Sequence, residues 1–229
     1  MTRAPLPQRP VRSYVRREGR ITSAQTRALR ELWPRYGVDL PALVLGAIFP
    51  RRAPLTVDIG FGDGEALALD AQQQPERNFL GIEVHRPGVG SLLRKLAVAD
   101  VDNVRVLVAD ANEVLRALPD GTLAGVQLYF PDPWPKKRHH KRRLLQAPFV
   151  ALVASKLQPH GVLHVATDWD DYATHVLAVC DACTDLENVA GAGRFLPRPL
   201  TRPLTKFERR AIAAGRTIKD LRFRRRDLP

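Results

Sequence analysis

Leu55-Thr56-Val57-Asp58-Ile59-Gly60-Phe61-Gly62-Asp63-Gly64 is a short apolar run that ends in glycines at alternate positions. Runs of this length and composition are strands buried on both faces. The glycines let the chain turn sharply and bring its backbone close to a ligand. Further strands are expected at 79–84, 104–109, 126–130 and 162–166, with apolar residues at helical spacing over 65–74, 86–99, 112–118 and 142–157. Alternation of this kind gives an α/β fold, a parallel sheet with helices on both faces. Ligands in such sheets bind along the carboxyl ends of the strands.

Three acids fall at that edge: Asp58 on the first strand, Glu83 at the end of the second and Asp110 just after the third. The glycine spacing is not the dinucleotide fingerprint, because the third glycine follows the second by two residues instead of three. A nicotinamide oxidoreductase is therefore disfavoured, and the acids would repel a pyrophosphate. Adenosine carried without phosphate fits better. S-adenosylmethionine offers that adenosine together with a cationic sulfonium and an amino-acid tail.

The fourth strand runs into Phe130-Pro131-Asp132-Pro133-Trp134-Pro135-Lys136-Lys137-Arg138-His139-His140-Lys141-Arg142-Arg143. Flanking prolines restrict the backbone around Asp132, and a block of cations follows. Across 229 residues, 36 Lys and Arg stand against 24 Asp and Glu, a net charge of +12. An excess of that size points to a phosphate-rich partner, nucleic acid above all. Contiguous cations suit a phosphate grip more than base reading.

No apolar run approaches the ~20 residues of a membrane span. The amino terminus lacks the apolar core of a signal peptide, so a cytoplasmic protein is expected. Residues 1–24 read as a basic, proline-containing arm that orders on a partner. Residues 23–49 read as helical with a break near 34–41, and 221–226 as a late edge strand with a cationic outer face. Cys180 and Cys183 form one CxxC, too few ligands for a zinc site, and read as structural thiols. His139 and His140 have no metal-site pattern, so no metal is expected.

Taken in chain order, these segments resemble the bacterial tRNA (guanine-N7)-methyltransferases. The likeness rests on Arg12-Ser13-Tyr14-Val15-Arg16-Arg17, Asp58-Ile59-Gly60-Phe61-Gly62 and Gly81-Ile82-Glu83-Val84-His85-Arg86-Pro87-Gly88-Val89-Gly90. It extends through the block from Phe130 to Arg143, Ala166-Thr167-Asp168-Trp169 and Arg202-Pro203-Leu204-Thr205-Lys206-Phe207-Glu208. The glycine loop is generic to methyltransferases, whereas the proline–aspartate–proline–tryptophan block and Thr-Lys-Phe-Glu are specific. The resemblance implies a Rossmann-like, mostly parallel seven-stranded sheet with helices on both faces and an antiparallel C-terminal strand. It implies one methyltransferase domain over 25–229, with the arm before it. The implied reaction transfers a methyl group from S-adenosyl-L-methionine to N7 of guanine 46 in the tRNA variable loop.

Carried over by motif, Asp58, Gly60, Gly62, Glu83, Asp110 and Asp132 would contact the cofactor, and Asp132 would be catalytic. Lys136, Asp168, Thr205, Lys206, Phe207 and Glu208 would contact substrate, and Arg138, His139, His140, Lys141, Arg142 and Arg143 would meet RNA. Asp58 stands where many relatives carry glutamate. Gly215-Arg216 replaces the usual Gly-His pair, so contacts from that tail are not carried over. A non-catalytic RNA-binding protein with a relic pocket is the alternative, and it would predict broken acids at the strand ends. Monomer and homodimer both stay open.

Overall fold

The computed structural model describes residues 19–40 and 43–227. The arm up to residue 18, with its Arg12-to-Arg17 motif, lies outside the described residues. Helix α1 (Ser23–Glu31) opens on a capping box in which the Thr22 hydroxyl accepts from the Gln25 amide and the Gln25 side chain accepts from the Thr22 amide. Short helices α2 (Trp33–Tyr36) and α3 (Leu45–Ile48) follow. The break expected near 34–41 is present, although Pro34 itself sits in the first turn of α2, where it has no helical bond to lose. It falls after Gly37.

The alternating core runs β1 (Leu55–Ile59), α4 (Glu65–Gln73), β2 (Asn78–Ile82), α5 (Arg86–Ala99), β3 (Val104–Leu107), α6 (Ala111–Ala117), β4 (Leu123–Tyr129), α7 (Ala147–Lys156), β5 (Leu157–Thr167) and α8 (Asp170–Asp181). β6 (Leu186–Asn188), α9 (Lys206–Ala213) and β7 (Lys219–Arg225) complete it. The seven strands lie in the order β3-β2-β1-β4-β5-β7-β6. β1 is parallel to both β2 and β4, and β7 is antiparallel to β5. The order reverses between β1 and β4, which is where an open α/β sheet leaves its crevice.

Side chains alternate across the sheet into two apolar layers. Phe79, Val104 and Val106 pack with Leu67, Leu92, Leu93 and Leu96 of α4 and α5 on one face. Leu80, Ile82 and Leu107 pack with Val114, Val150, Val153 and Val176 of α6, α7 and α8 on the other. Cys180 is buried in this second layer and Cys183 packs against it, both as free thiols. No helix among the described residues is long and apolar enough to cross a membrane.

Two expectations need correction. The helix read at 142–157 is instead a 3₁₀ turn at Lys137–Arg142 followed by α7, and β5 already starts at Leu157. Arg143 is drawn inward with extended backbone, which ends the turn, and Pro148 fits the first turn of α7. The late strand is not an edge. β7 lies between β5 and β6, with Leu221 and Phe223 buried, and three-residue β6 forms the edge.

Candidate active site

Gly60, Gly62 and Gly64 all take positive φ (71°, 61° and 76°) between β1 and α4, a backbone shape that side chains with a Cβ resist. Glu83, just past β2, braces this loop. Its Oε2 accepts from the Gly62 amide at 2.9 Å, and its Oε1 accepts from Val84 and His85 amides at 2.7 and 2.9 Å. The start of α5 presses on the same loop. A Cβ at Gly88 would stand 2.1 Å from the Gly62 carbonyl oxygen, so this close approach requires glycine.

A cavity of about 650 Å³ opens beside the loop, walled by Gly60, Glu83, Val84, Ala109, Ala111, Leu128 and the stretch from Phe130 to Pro135. Asp110 sits between two of these wall residues and caps α6, accepting from the Asn112 amide at 2.8 Å. Asp132 reaches the cavity mouth from the loop after β4. It is accessible there, yet partial desolvation by the cavity walls pushes its pKa above the ordinary carboxylate value. Phe130 and Trp134 bracket it, both at positive φ (53° and 47°). Bulky residues persist in that conformation only when their surroundings hold them, and such strain gathers at functional loops.

Arginine supplies much of that hold. The Arg143 side chain, 1% exposed, donates from Nε to the Pro133 carbonyl at 2.9 Å, pairs with Asp171 and lies over the Tyr172 ring. Arg142 stacks over Trp134, and His139 meets the same ring edge-on. Burial and neighbouring cations hold the His139 pKa below its usual value. Lys136, Lys137, Arg138 and Lys141 face solvent.

A second chamber of about 340 Å³ shares Gly60 and Phe130 with the first. Asp58, Glu65, Tyr129, Thr205, Lys206, Phe207 and Arg210 line it. Asp58 is 2% exposed, and its Oδ2 has no hydrogen-bond partner among the described residues. Burial, then the charges of Asp70 and Glu83, push its pKa well above the usual range. The Phe207 ring rests against Phe130 with centroids 5.0 Å apart.

The chain thus brings Asp58, Gly60, Gly62, Glu83, Asp110 and Asp132 together around one crevice, with Thr205, Lys206 and Phe207 across from them. Asp168 lines neither chamber. It pairs with Arg216 at 2.6 Å, and Trp169, not Asp168, occupies the cap position of α8. Glu208 is fully buried among arginines, and Arg143 points inward where an RNA contact was expected. Sequence reading missed Asp70, a buried acid on α4 that accepts from Gln127 at 3.3 Å and whose pKa burial raises to about 7. An acid in the inward register of an amphipathic helix was the available signal. Arg202 was missed as an interior cation, since nothing local distinguishes it from its neighbours. No group of His, Cys, Asp and Glu among the described residues could hold a metal.

Residues 52–221 match a family model described as "Putative methyltransferase". A tRNA (guanine-N(7)-)-methyltransferase of Alkalilimnicola ehrlichii is 56% identical over 227 residues, covering 97% of this chain and 95% of the relative. The protein of the same name from Thiobacillus denitrificans is 55% identical over 219 residues, covering 94% and 96%. Among solved structures, the 16S rRNA methyltransferase KamB superposes with a TM-score of 0.55 at 15% identity over 92% of this chain and 97% of its own, a likeness of fold alone. Catalytic-edge architecture, motif order and close relatives agree: the chain belongs to the tRNA (guanine-N7)-methyltransferase family.

Proposed function

We propose that the protein methylates N7 of guanine 46 in the variable loop of tRNA, with S-adenosyl-L-methionine as the methyl donor. One observation carries the reading. Two chambers meet at Gly60 and Phe130, with Asp132 at the mouth of the larger and an exposed cationic turn directly after it. The relatives' names support the guanine-N7 part of this assignment, and position 46 follows from the motif resemblance.

The residues suit this donor. Asp58 offers a buried oxygen with no partner among the described residues, and an acid so placed favours a cation and disfavours phosphate. Glu83 and Asp110 stand where ribose hydroxyls and an adenine edge would be met. When bound, the donor supplies an electrophilic methyl group on a sulfonium.

Guanine N7 is a lone pair with no proton to lose, so the chain needs no general base. Its task is alignment, which is worth ~7–11 kcal/mol when two reactants are held in line. Asp132 accepts from the guanine N–H groups and offsets the positive charge that develops on the ring. The inward-turned Arg143 and the prolines keep Asp132 from drifting. Lys136, Arg138, His139, His140, Lys141 and Arg142 meet tRNA phosphates. The intact acids at the strand ends speak against a relic pocket.

Guanine 46 is tested by supplying labelled donor with tRNA transcripts that differ at one base. Label enters the transcript with guanine 46 and not the one with adenine there. Equal labelling of both overturns the position.

A further inference from the structure

Arg202 lies between β6 and α9 with its side chain 1% exposed. Its Nε and one terminal nitrogen donate to the two oxygens of Asp220 on β7 at 2.8 and 3.0 Å. Its two terminal nitrogens donate to the two oxygens of Glu208 on α9 at 2.7 and 2.8 Å. The same guanidinium lies 5.6 and 5.7 Å from the ring centres of Tyr129 and Phe130 at the end of β4. One planar group therefore ties β7 to two elements that line the second chamber, the end of β4 and the start of α9.

The network closes on itself. Arg198 donates to Glu208 at 2.7 Å and to the Arg202 carbonyl at 2.6 Å. His164 joins Asp220 at 2.9 Å on one side and the Tyr129 hydroxyl at 3.0 Å on the other. Burial holds the His164 pKa below its usual value. Burial also pushes Asp220 upward, but His164 and Arg202 more than offset it and keep the carboxyl ionised. With His164 neutral, two arginines balance two carboxylates. Both Glu208 oxygens accept from arginine, so its carboxylate is bound into this network.

Lysine cannot replace such a fork, because a point charge does not fix the plane of two carboxylates at once. Glu208 is the third residue of α9, where its amide also donates to the Thr205 hydroxyl at 3.2 Å. Holding Glu208 therefore holds the chamber-lining residues Thr205, Lys206 and Phe207. We propose that Arg202 is a positioning residue, which through Glu208, Asp220 and Phe130 fixes the segment from Thr205 to Phe207 over the second chamber for presentation of the target guanosine. This rests on the methyl-transfer reading above.

Arg202→Lys and Glu208→Gln test it in the full-length protein, by kinetics, by donor binding and by hydrogen exchange of amides 205–207. We expect donor affinity to stay within about twofold, since Arg202 lines neither chamber and touches none of the residues assigned to the donor. We expect kcat on tRNA to fall about 100-fold, the scale of a small misplacement, and KM for tRNA to rise. Exchange at 205–207 should quicken at least about tenfold while β1 and β4 amides keep their protection. Unchanged kcat and exchange in both variants overturn the proposal, as does donor affinity that falls in step with kcat. Wild-type protein that transfers no methyl group to tRNA, with exchange still quickened in the variants, would sink the methyl-transfer reading and leave the positioning role standing.

Discussion

Two arginine- and proline-rich stretches look alike in the sequence and meet opposite fates. The stretch from Pro131 to Arg143 turns nearly all its cations outward on a 3₁₀ turn and buries only Arg143. The stretch from Arg194 to Arg202 sends its last arginine into the interior between two fully buried carboxylates. What separates them is the supply of acid from elsewhere in the fold. Asp220 arrives from β7 and Glu208 from α9, whereas only solvent-exposed Asp171 arrives for Arg143. Cations without an interior partner stay in water, where they are free to meet phosphate.

The contrast fixes how each arginine should respond to removal. Arg202→Ala leaves two buried carboxylates short of their partner and should cost about 3–5 kcal/mol, read by denaturant unfolding. Arg143→Ala removes hydrogen bonds to Pro133 and Asp171 and should cost about 1–3 kcal/mol, with loss of activity as the Asp132 loop loosens. Equal losses at the two sites would erase the distinction. Neutralising the exposed pair Arg138 and Lys141 together should leave stability within about 0.5 kcal/mol. It should also flatten the dependence of log tRNA affinity on log salt, by up to ~0.9 for each phosphate that is no longer neutralised. An unchanged slope would move the grip elsewhere on the surface.

A smaller effect separates the acids beneath the chambers from those in the arginine network. Asp70 has its pKa raised from 3.8 to about 7 by burial, so the folded chain keeps a proton that the unfolded chain has released. Its contribution is therefore lost as pH rises through the window from about 4 to about 7. Asp70→Asn should flatten the fall in stability across that range, and an unaltered pH profile would contradict the assignment. Asp220, held low by His164 and Arg202, shifts the opposite way.

Much of this was legible in one sequence. The five parallel strands showed as apolar runs because both their faces are covered. Asp58, Glu83, Asp110 and Asp132 could be placed at one edge because strand ends and glycine turns are local signals. The errors came where distant segments decide. β7 reads as an edge strand until three-residue β6, too short to show a pattern, pairs outside it. The cationic run reads as the start of a helix until Arg143 is pulled inward by Asp171 and the Pro133 carbonyl. Glu208 reads as a substrate contact beside Thr205 and Phe207, yet its partners lie 6 to 10 residues back along the chain and face it only after folding.

The most direct test of the account is nucleoside analysis of tRNA after incubation with labelled S-adenosyl-L-methionine. The wild-type chain should place the label in 7-methylguanosine, and Asp132→Ala, with its fold confirmed by an unchanged unfolding midpoint, should place almost none. Label in any other nucleoside, or near-normal 7-methylguanosine from the Asp132→Ala protein, would contradict it.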